Sequence, residues 1–187
     1  MKLKLVKELM IPLSEYATVH EEDTLKKALK TLRETQTHND PTSYKHRAVL
    51  VFGKDNKIVG KISPLDVLRS LEPKYCKIMH PEKMNKVGLS RFGLSNDFLS
   101  AMMEQYCLWE DSCEELVKTA SKLKVKNIMY SLDEGEYVDE TATISEAIHQ
   151  LILGHHQSLL VSKGNKVIGI LRLSDVFKLV CDIMIPG

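Results

Sequence analysis

The chain has 187 residues, with 26 Lys and Arg against 25 Asp and Glu for a formal net charge of +1. That length suits one domain of about 100 to 200 residues, or two small halves sharing a core, and the near-neutral balance with scattered basic residues gives no electrostatic basis for nucleic-acid binding. Lys7 and Glu8 interrupt the opening MKLKLVKELMIPL and no run of about 18 apolar residues follows anywhere, so neither a signal peptide nor a membrane span is expected.

In chain order, Ala17 to Val19 reads as a short strand, and Asp23 or Thr24 caps a helix whose buried face is Leu25, Ala28, Leu29 and Leu32. Ala48 to Phe52 and Lys57 to Ile62 follow as strands around Gly53-Lys54-Asp55-Asn56, which has the chemistry of a hairpin turn. A helix begins near Pro64, where Ser63 suits the N-cap, Pro64 the first helical position and Asp66 the third, near the positive end of the helix. Two roles are open to Asp66: a capping carboxylate, or an acceptor for a ligand.

Glu72 to Lys124 is too long for a bare connection. Ser95 is a good N-cap, and after it Phe98, Met102, Tyr106, Trp109, Cys113, Leu116, Ala120 and Leu123 recur every three or four residues along one narrow apolar seam. Ser112 to Glu115 is a capping-box pattern that allows a break near Asp111. Such an arm either packs on its own chain or meets a second copy or a partner, an interface to which Trp and Met are suited. Val138 then marks a strand and Thr143 caps a helix buried through Ile144, Ala147, Ile148 and Leu151. Ser158 to Val161 and Lys166 to Leu171 form a hairpin around Lys163-Gly164-Asn165, with a closing helix near Leu173.

The order of elements thus occurs twice. His46 to Arg69 lies over His155 to Lys178 at a constant offset of 109 without a gap, and the upstream residues match at 119, from Val6-Lys7 over Val125-Lys126 to Leu32 over Leu151. The change of offset puts ten extra residues in the first copy, between Arg33 and Lys45. A unit of roughly 60 residues buries little surface alone, so the copies are expected to pack on each other.

The Val-Lys-x-[Leu/Ile]-Met opening, the Thr-led helix and the Gly-x-[Ile/Leu]-x-x-x-Asp ending of each copy resemble a pair of cystathionine beta-synthase (CBS) domains, together a Bateman module. The resemblance spans Val6 to about Leu71 and Val125 to about Val180. It implies a mixed α/β (α+β) fold of two pseudo-symmetric repeats packed through their sheets, here 1–71 and 125–187, with a helical segment inserted at 72–124. It also implies a regulatory fold that performs no chemistry and holds adenosine-type ligands, AMP, ADP, ATP or S-adenosylmethionine, in the clefts between repeats.

In that family an aspartate accepts from the ribose hydroxyls while a Ser or Thr three residues earlier and the helix N-terminus face the phosphates. Physically this is sound, because a carboxylate is an acceptor-only group matched to a diol and a helix N-terminus suits an anion. Ser63 and Asp66 meet both requirements. In the second copy Asp175 is present but Arg172 stands at the hydroxyl position, where it either clamps a phosphate or pairs with Asp175. The resemblance places the base against Ala17, Thr18, His46 and Arg47 of the first copy and Val138, His155 and His156 of the second. His149, His155 and His156 lack metal-site spacing, and no nucleophile elbow, phosphate loop or Cys/His dyad supports an enzyme. Cys76, Cys107, Cys113 and Cys181 include no CxxC pair and read as reduced thiols of a cytoplasmic protein. The expected partners are a nucleotide, a second copy of the chain and a protein that reads the bound state. The alternative is an interaction protein that kept the fold, lost the ligand and works through its central arm.

Overall fold

The computed structural model describes residues 4–37, 48–75 and 95–185. Within them the first copy supplies β1 (Ile11–Pro12), β2 (Thr18–His20), α1 (Leu25–Thr37), β3 (Val49–Phe52), β4 (Ile58–Ile62) and α2 (Pro64–Leu71). The central segment supplies α3 (Asn96–Gln105) and α4 (Cys113–Ala120). The second copy supplies β5 (Tyr130–Ser131), β6 (Tyr137–Asp139), α5 (Ile144–Leu153), β7 (Ser158–Lys163), β8 (Lys166–Arg172) and α6 (Leu173–Met184). The result is a mixed α/β fold with two four-stranded sheets, ordered β2-β3-β4-β5 and β1-β8-β7-β6.

Each copy lends its opening segment to the other. β1 runs antiparallel to β8, with Pro12 opposite Gly169, and β5 runs antiparallel to β4, with Ser131 opposite Gly60. Just upstream, Val6 N donates to Ala142 O and Val125 N donates to Asp23 O, the same bond at the two ends of the pseudo-symmetry. Val6 is fully buried in the second copy's core with Val138, Leu159 and Val161, while Val125 is fully buried in the first copy's core with Val19, Val49 and Val51. Burial of a valine side chain is worth about 1.5 to 3 kcal/mol, so each packing unit depends on both copies. A third cluster lies between the sheets, where Tyr16 and Leu50 meet Leu160 and Ile170.

The ungapped match between the copies is corrected by the sheet registers. Leu50 and Leu160 occupy equivalent places, opposite Lys61 and Ile170 respectively, whereas Ile62 and Leu171 keep the offset of 109. One of the ten extra residues therefore lies in the first hairpin, between Phe52 and Ile58, and the remainder lie upstream of β3. Alternation decides this: side chains change face at every residue, so a slip of one would exchange the core face of β7 for its inter-sheet face. The identity of Leu50 with Leu159 is accidental, since Leu50 packs between the sheets and Leu159 packs against the helices.

Helix starts follow the capping chemistry read from the sequence. Thr24 caps α1, its Oγ1 accepting from Lys27 N at 3.3 Å, while Asp23 accepts from His20 N at 3.0 Å and pairs with Lys27. Thr143 and Glu146 form a reciprocal capping box on α5. Leu29 was expected inside and is exposed, because at 100° per residue it lies at the margin of the stripe formed by Leu25, Ala28 and Leu32.

The arm breaks where the sequence indicates, between α3, capped by Ser95, and α4, capped by Ser112. Its seam is not continuous. Leu116 and Ala120 are buried, but Phe98, Tyr106 and Trp109 are exposed, and Leu108, off the seam, is buried instead. Cys107 and Trp109 have left-handed backbone (φ 50° and 60°), which interrupts the helical phase and turns Leu108 inward. Trp109 is held by its own chain: its N donates to Glu72 Oε2 at 2.9 Å and its indole Nε1 donates to Tyr75 Oη at 3.1 Å. Burial pushes the Glu72 carboxyl up, but N–H donors from Trp109 and Lys74 outweigh it and hold the group below the usual range.

The strand exchange yields a direct test. A Cβ on Gly60 would come within 2.7 Å of Tyr130 O and 2.8 Å of Met129 Sδ, and one on Gly169 within 2.6 Å of Ile11 O and 2.9 Å of Met10 Sδ. Gly60→Ala is expected to destabilise by about 1 to 3 kcal/mol, because the backbone oxygen must move. Gly135→Ala, whose nearest neighbour is His156 Nε2 at 3.8 Å, is expected to stay within about 0.5 kcal/mol. Urea midpoints measured at unchanged slope compare the two.

Candidate ligand-binding site

The loop from β4 into α2 is a closed hydrogen-bonded unit. Ser63, extended at φ −96°, accepts from Asp66 N through Oγ at 3.3 Å, while Asp66 Oδ2 accepts from Ser63 N at 2.8 Å and from Ser63 Oγ at 2.6 Å. Pro64 occupies the first helical turn, where its missing N–H costs nothing. Asp66 is 8 % exposed and its Oδ1 lies 3.5 Å from Arg69 Nη1. The carboxylate is thus a cap, and Oδ1 retains acceptor capacity.

Beyond its first-copy partners, the Asp66 charge is felt by Tyr130 of the second copy. Tyr130, opposite Lys61 in the β4–β5 register, is pushed up to about 12 by burial, by its hydrogen bond to Asp133 and by the charges of Glu136, Asp133 and Asp66. Lys61 Nζ lies 5.4 Å from the centre of the Tyr130 ring and forms an ion pair with Glu136. Glu136 is only 1 % exposed, and His156 Nδ1 lies 3.8 Å from its Oε1. Lys61, Tyr130, Glu136 and His156 therefore make one polar cluster that both repeats build, and the Asp66 charge bears on it through Tyr130.

The equivalent corner of the second copy differs. Arg172 takes the N-cap position of α6 without a side-chain capping bond. Its Nε donates to Asp175 Oδ2 at 2.6 Å and its Nη2 donates to Asp175 Oδ1, a two-pronged pair with Arg172 7 % exposed. Tyr16 lies beside it, and burial pushes its phenol up to about 12, with Arg172 opposing and Asp175 reinforcing.

The other residues singled out in the sequence are dispersed. Ala17 and Val138 are buried in the two cores, where Ala17 O accepts from Leu50 N at 3.0 Å. Thr18 lines an open groove of about 500 Å³ with Tyr16, Phe52 and Val167, and neither Ser63 nor Asp66 reaches it. His155 has left-handed backbone at φ 50°. His46, Arg47 and Cys76 lie outside the described residues. Cys107, Cys113 and Cys181 are free thiols, and among the described residues no cluster of three or more His, Cys, Asp or Glu gathers to hold a metal. Sequence reasoning missed Lys61, Tyr130 and Glu136. A signal existed in the repeat itself: Lys61 stands where the other copy has Ile170, and Glu136 stands where it has Ala17.

Comparison with known proteins accords with this architecture. The family model described as the CBS domain matches residues 6–73 and 125–182, more than half of the chain. The chain belongs to the CBS-domain family. Among solved structures, the CBS domain of a CBS-domain-containing membrane protein from Sphaerobacter thermophilus shares 20 % identity at a TM-score of 0.59, covering 95 % of this chain and 88 % of that one. The structure of CBSX2 in complex with AMP shares 18 % identity at 0.56, covering 97 % and 99 %. The CBS domain of a bacterial CNNM/CorC family Mg2+ transporter in complex with ATP shares 18 % identity at 0.57, covering 95 % and 87 %. At these identities the likeness shows the fold alone. No curated protein sequence matches the chain. Among the described residues no helix is long and apolar enough to cross a membrane.

The buried Lys61–Glu136 pair of this CBS protein gives the second test. Lys61→Met leaves Glu136 without its partner charge and is expected to cost about 3 to 5 kcal/mol. The double change Lys61→Ile with Glu136→Ala, which copies the apolar equivalents of the other half, is expected to recover most of that loss. A double-mutant cycle by chemical denaturation reads the coupling.

Proposed function

We propose that this protein is a non-catalytic regulatory Bateman module that binds an adenosine-containing ligand, AMP, ADP, ATP or S-adenosylmethionine, at the Asp66 side of the cleft between its repeats. The observation that carries this reading is the Ser63–Asp66 unit at the N-terminus of α2, where a buried carboxylate keeps an acceptor oxygen beside a hydroxyl at the positive end of the helix. AMP and ATP in the structures of two fold relatives lend support. Asp66 is assigned to the ribose hydroxyls, with Ser63 and the helix terminus toward the phosphate end. Lys61 lies at the margin, and by the resemblance the base is assigned to Ala17, Thr18, His46 and Arg47 of the first copy, with Val138, His155 and His156 as their counterparts in the second.

Because this neighbourhood is built by both repeats, a ligand here favours one relative orientation of the two, and a partner protein reads that population. We further assign the module to a cytoplasmic homodimer, a compartment consistent with its free thiols. The exposed Phe98, Leu99, Met103 and Tyr106 of the arm support the pairing surface. The same exposed residues favour the second reading, an interaction protein that works through the arm with no ligand.

Calorimetric titration of AMP, ADP, ATP and S-adenosylmethionine separates these readings. Asp66→Ala is expected to weaken binding roughly 10- to 150-fold, the loss of charge-assisted hydrogen bonds worth about 1.5 to 3 kcal/mol. If Asp66 is only a cap, stability falls by about 1 kcal/mol and affinity is unchanged. Absence of binding by all four ligands at millimolar concentration rejects the adenosine assignment. For assembly, light scattering is expected to give twice the 21.2 kDa chain mass. Replacing Phe98, Met103 and Tyr106 with Ser is expected to lower that mass; a monomeric wild type rejects the dimer.

A further inference from the structure

Ser63 and Arg172 occupy the same position in the two repeats: Ser63 directly follows β4, Arg172 is the last residue of β8, and each is the N-cap of the helix that carries the aspartate. Their effect on that aspartate is opposite. At Asp66 both Ser63 donors converge on Oδ2, so Oδ1 keeps only the 3.5 Å approach of Arg69 among the described residues. At Asp175 one guanidinium fork engages both oxygens, through Nε at 2.6 Å and through Nη2. Arg172 is buried in doing so, and the Asp175 side chain is 14 % exposed.

A ribose offers neutral hydroxyl donors, whose bonds to a carboxylate are weaker than those of a guanidinium fork. For a ribose to take Asp175 it would have to displace a guanidinium fork that already holds both carboxylate oxygens in a largely buried, charge-assisted pair beside Tyr16. We propose that Arg172 closes the Asp175 side of the cleft, so that the chain takes one adenosine-type ligand, at Asp66, with Arg172 the residue that sets the stoichiometry. This rests on the adenosine reading of the Asp66 site. It also divides the labour between the repeats: the first carries the ligand, and the second supplies a self-paired corner that holds β8 to α6.

The test is calorimetric stoichiometry per chain with AMP and with ATP, on wild type, Asp66→Ala and Arg172→Ser, each first checked for folding by thermal melting. Expected are one site per chain in wild type, a loss of 10-fold or more in affinity for Asp66→Ala, and a second, weaker site in Arg172→Ser. Two sites per chain in wild type overturn the inference while leaving the adenosine reading intact. No binding by wild type at millimolar ligand overturns the adenosine reading itself. One site with unchanged affinity in Asp66→Ala places the ligand elsewhere and overturns the inference. A folded Arg172→Ser that still takes one ligand removes the role given to Arg172. Should that variant fail to fold, the wild-type stoichiometry and Asp66→Ala decide without it.

Discussion

The exchange of opening strands between the two repeats is the constraint on which the rest of this structure depends. β1 completes the second sheet at Gly169 and β5 completes the first at Gly60, and each strand comes so close that the glycine has no room for a Cβ. Val6 and Val125, one turn upstream, are buried in cores to which they do not belong by sequence. Neither half can be removed without opening the other's sheet edge and core. The relative orientation of the halves is therefore a property of the whole chain, which is what a ligand in the cleft needs if its binding is to be felt elsewhere.

On this nearly symmetric frame, a few side chains make the two corners chemically different. Ile170 and Ala17 on one side become Lys61 and Glu136 on the other, where two apolar residues give way to an ion pair with His156 beside it. Buried pairs of this kind add little net stability compared with apolar packing, because desolvation offsets most of the attraction. Ser63 and Arg172 differ in the same sense, the first leaving its aspartate an open oxygen and the second occupying both.

The arm follows a different logic. Trp109, the single tryptophan of the chain, is fastened through Glu72 and Tyr75 just past the end of α2, so the arm is tied to the helix that carries Asp66. The exposed residues of α3 are then presented from a fixed base.

By itself the sequence determined the repeat, the order of elements and the helix caps, because these rest on local chemistry: period-two and period-3.6 patterns, turn residues, and Ser or Thr three residues before an acid. Ser63 with Asp66 and Arg172 with Asp175 were legible for the same reason, each pair being three residues apart. Only the tertiary structure decided that Leu50 corresponds to Leu160, since alternation of faces outranks identity of letters. It alone brought Lys61 to Glu136, 75 residues away, and turned Leu108 inward between two left-handed residues. Those outcomes depend on where strands from opposite halves meet, and no local pattern encodes a meeting between distant segments.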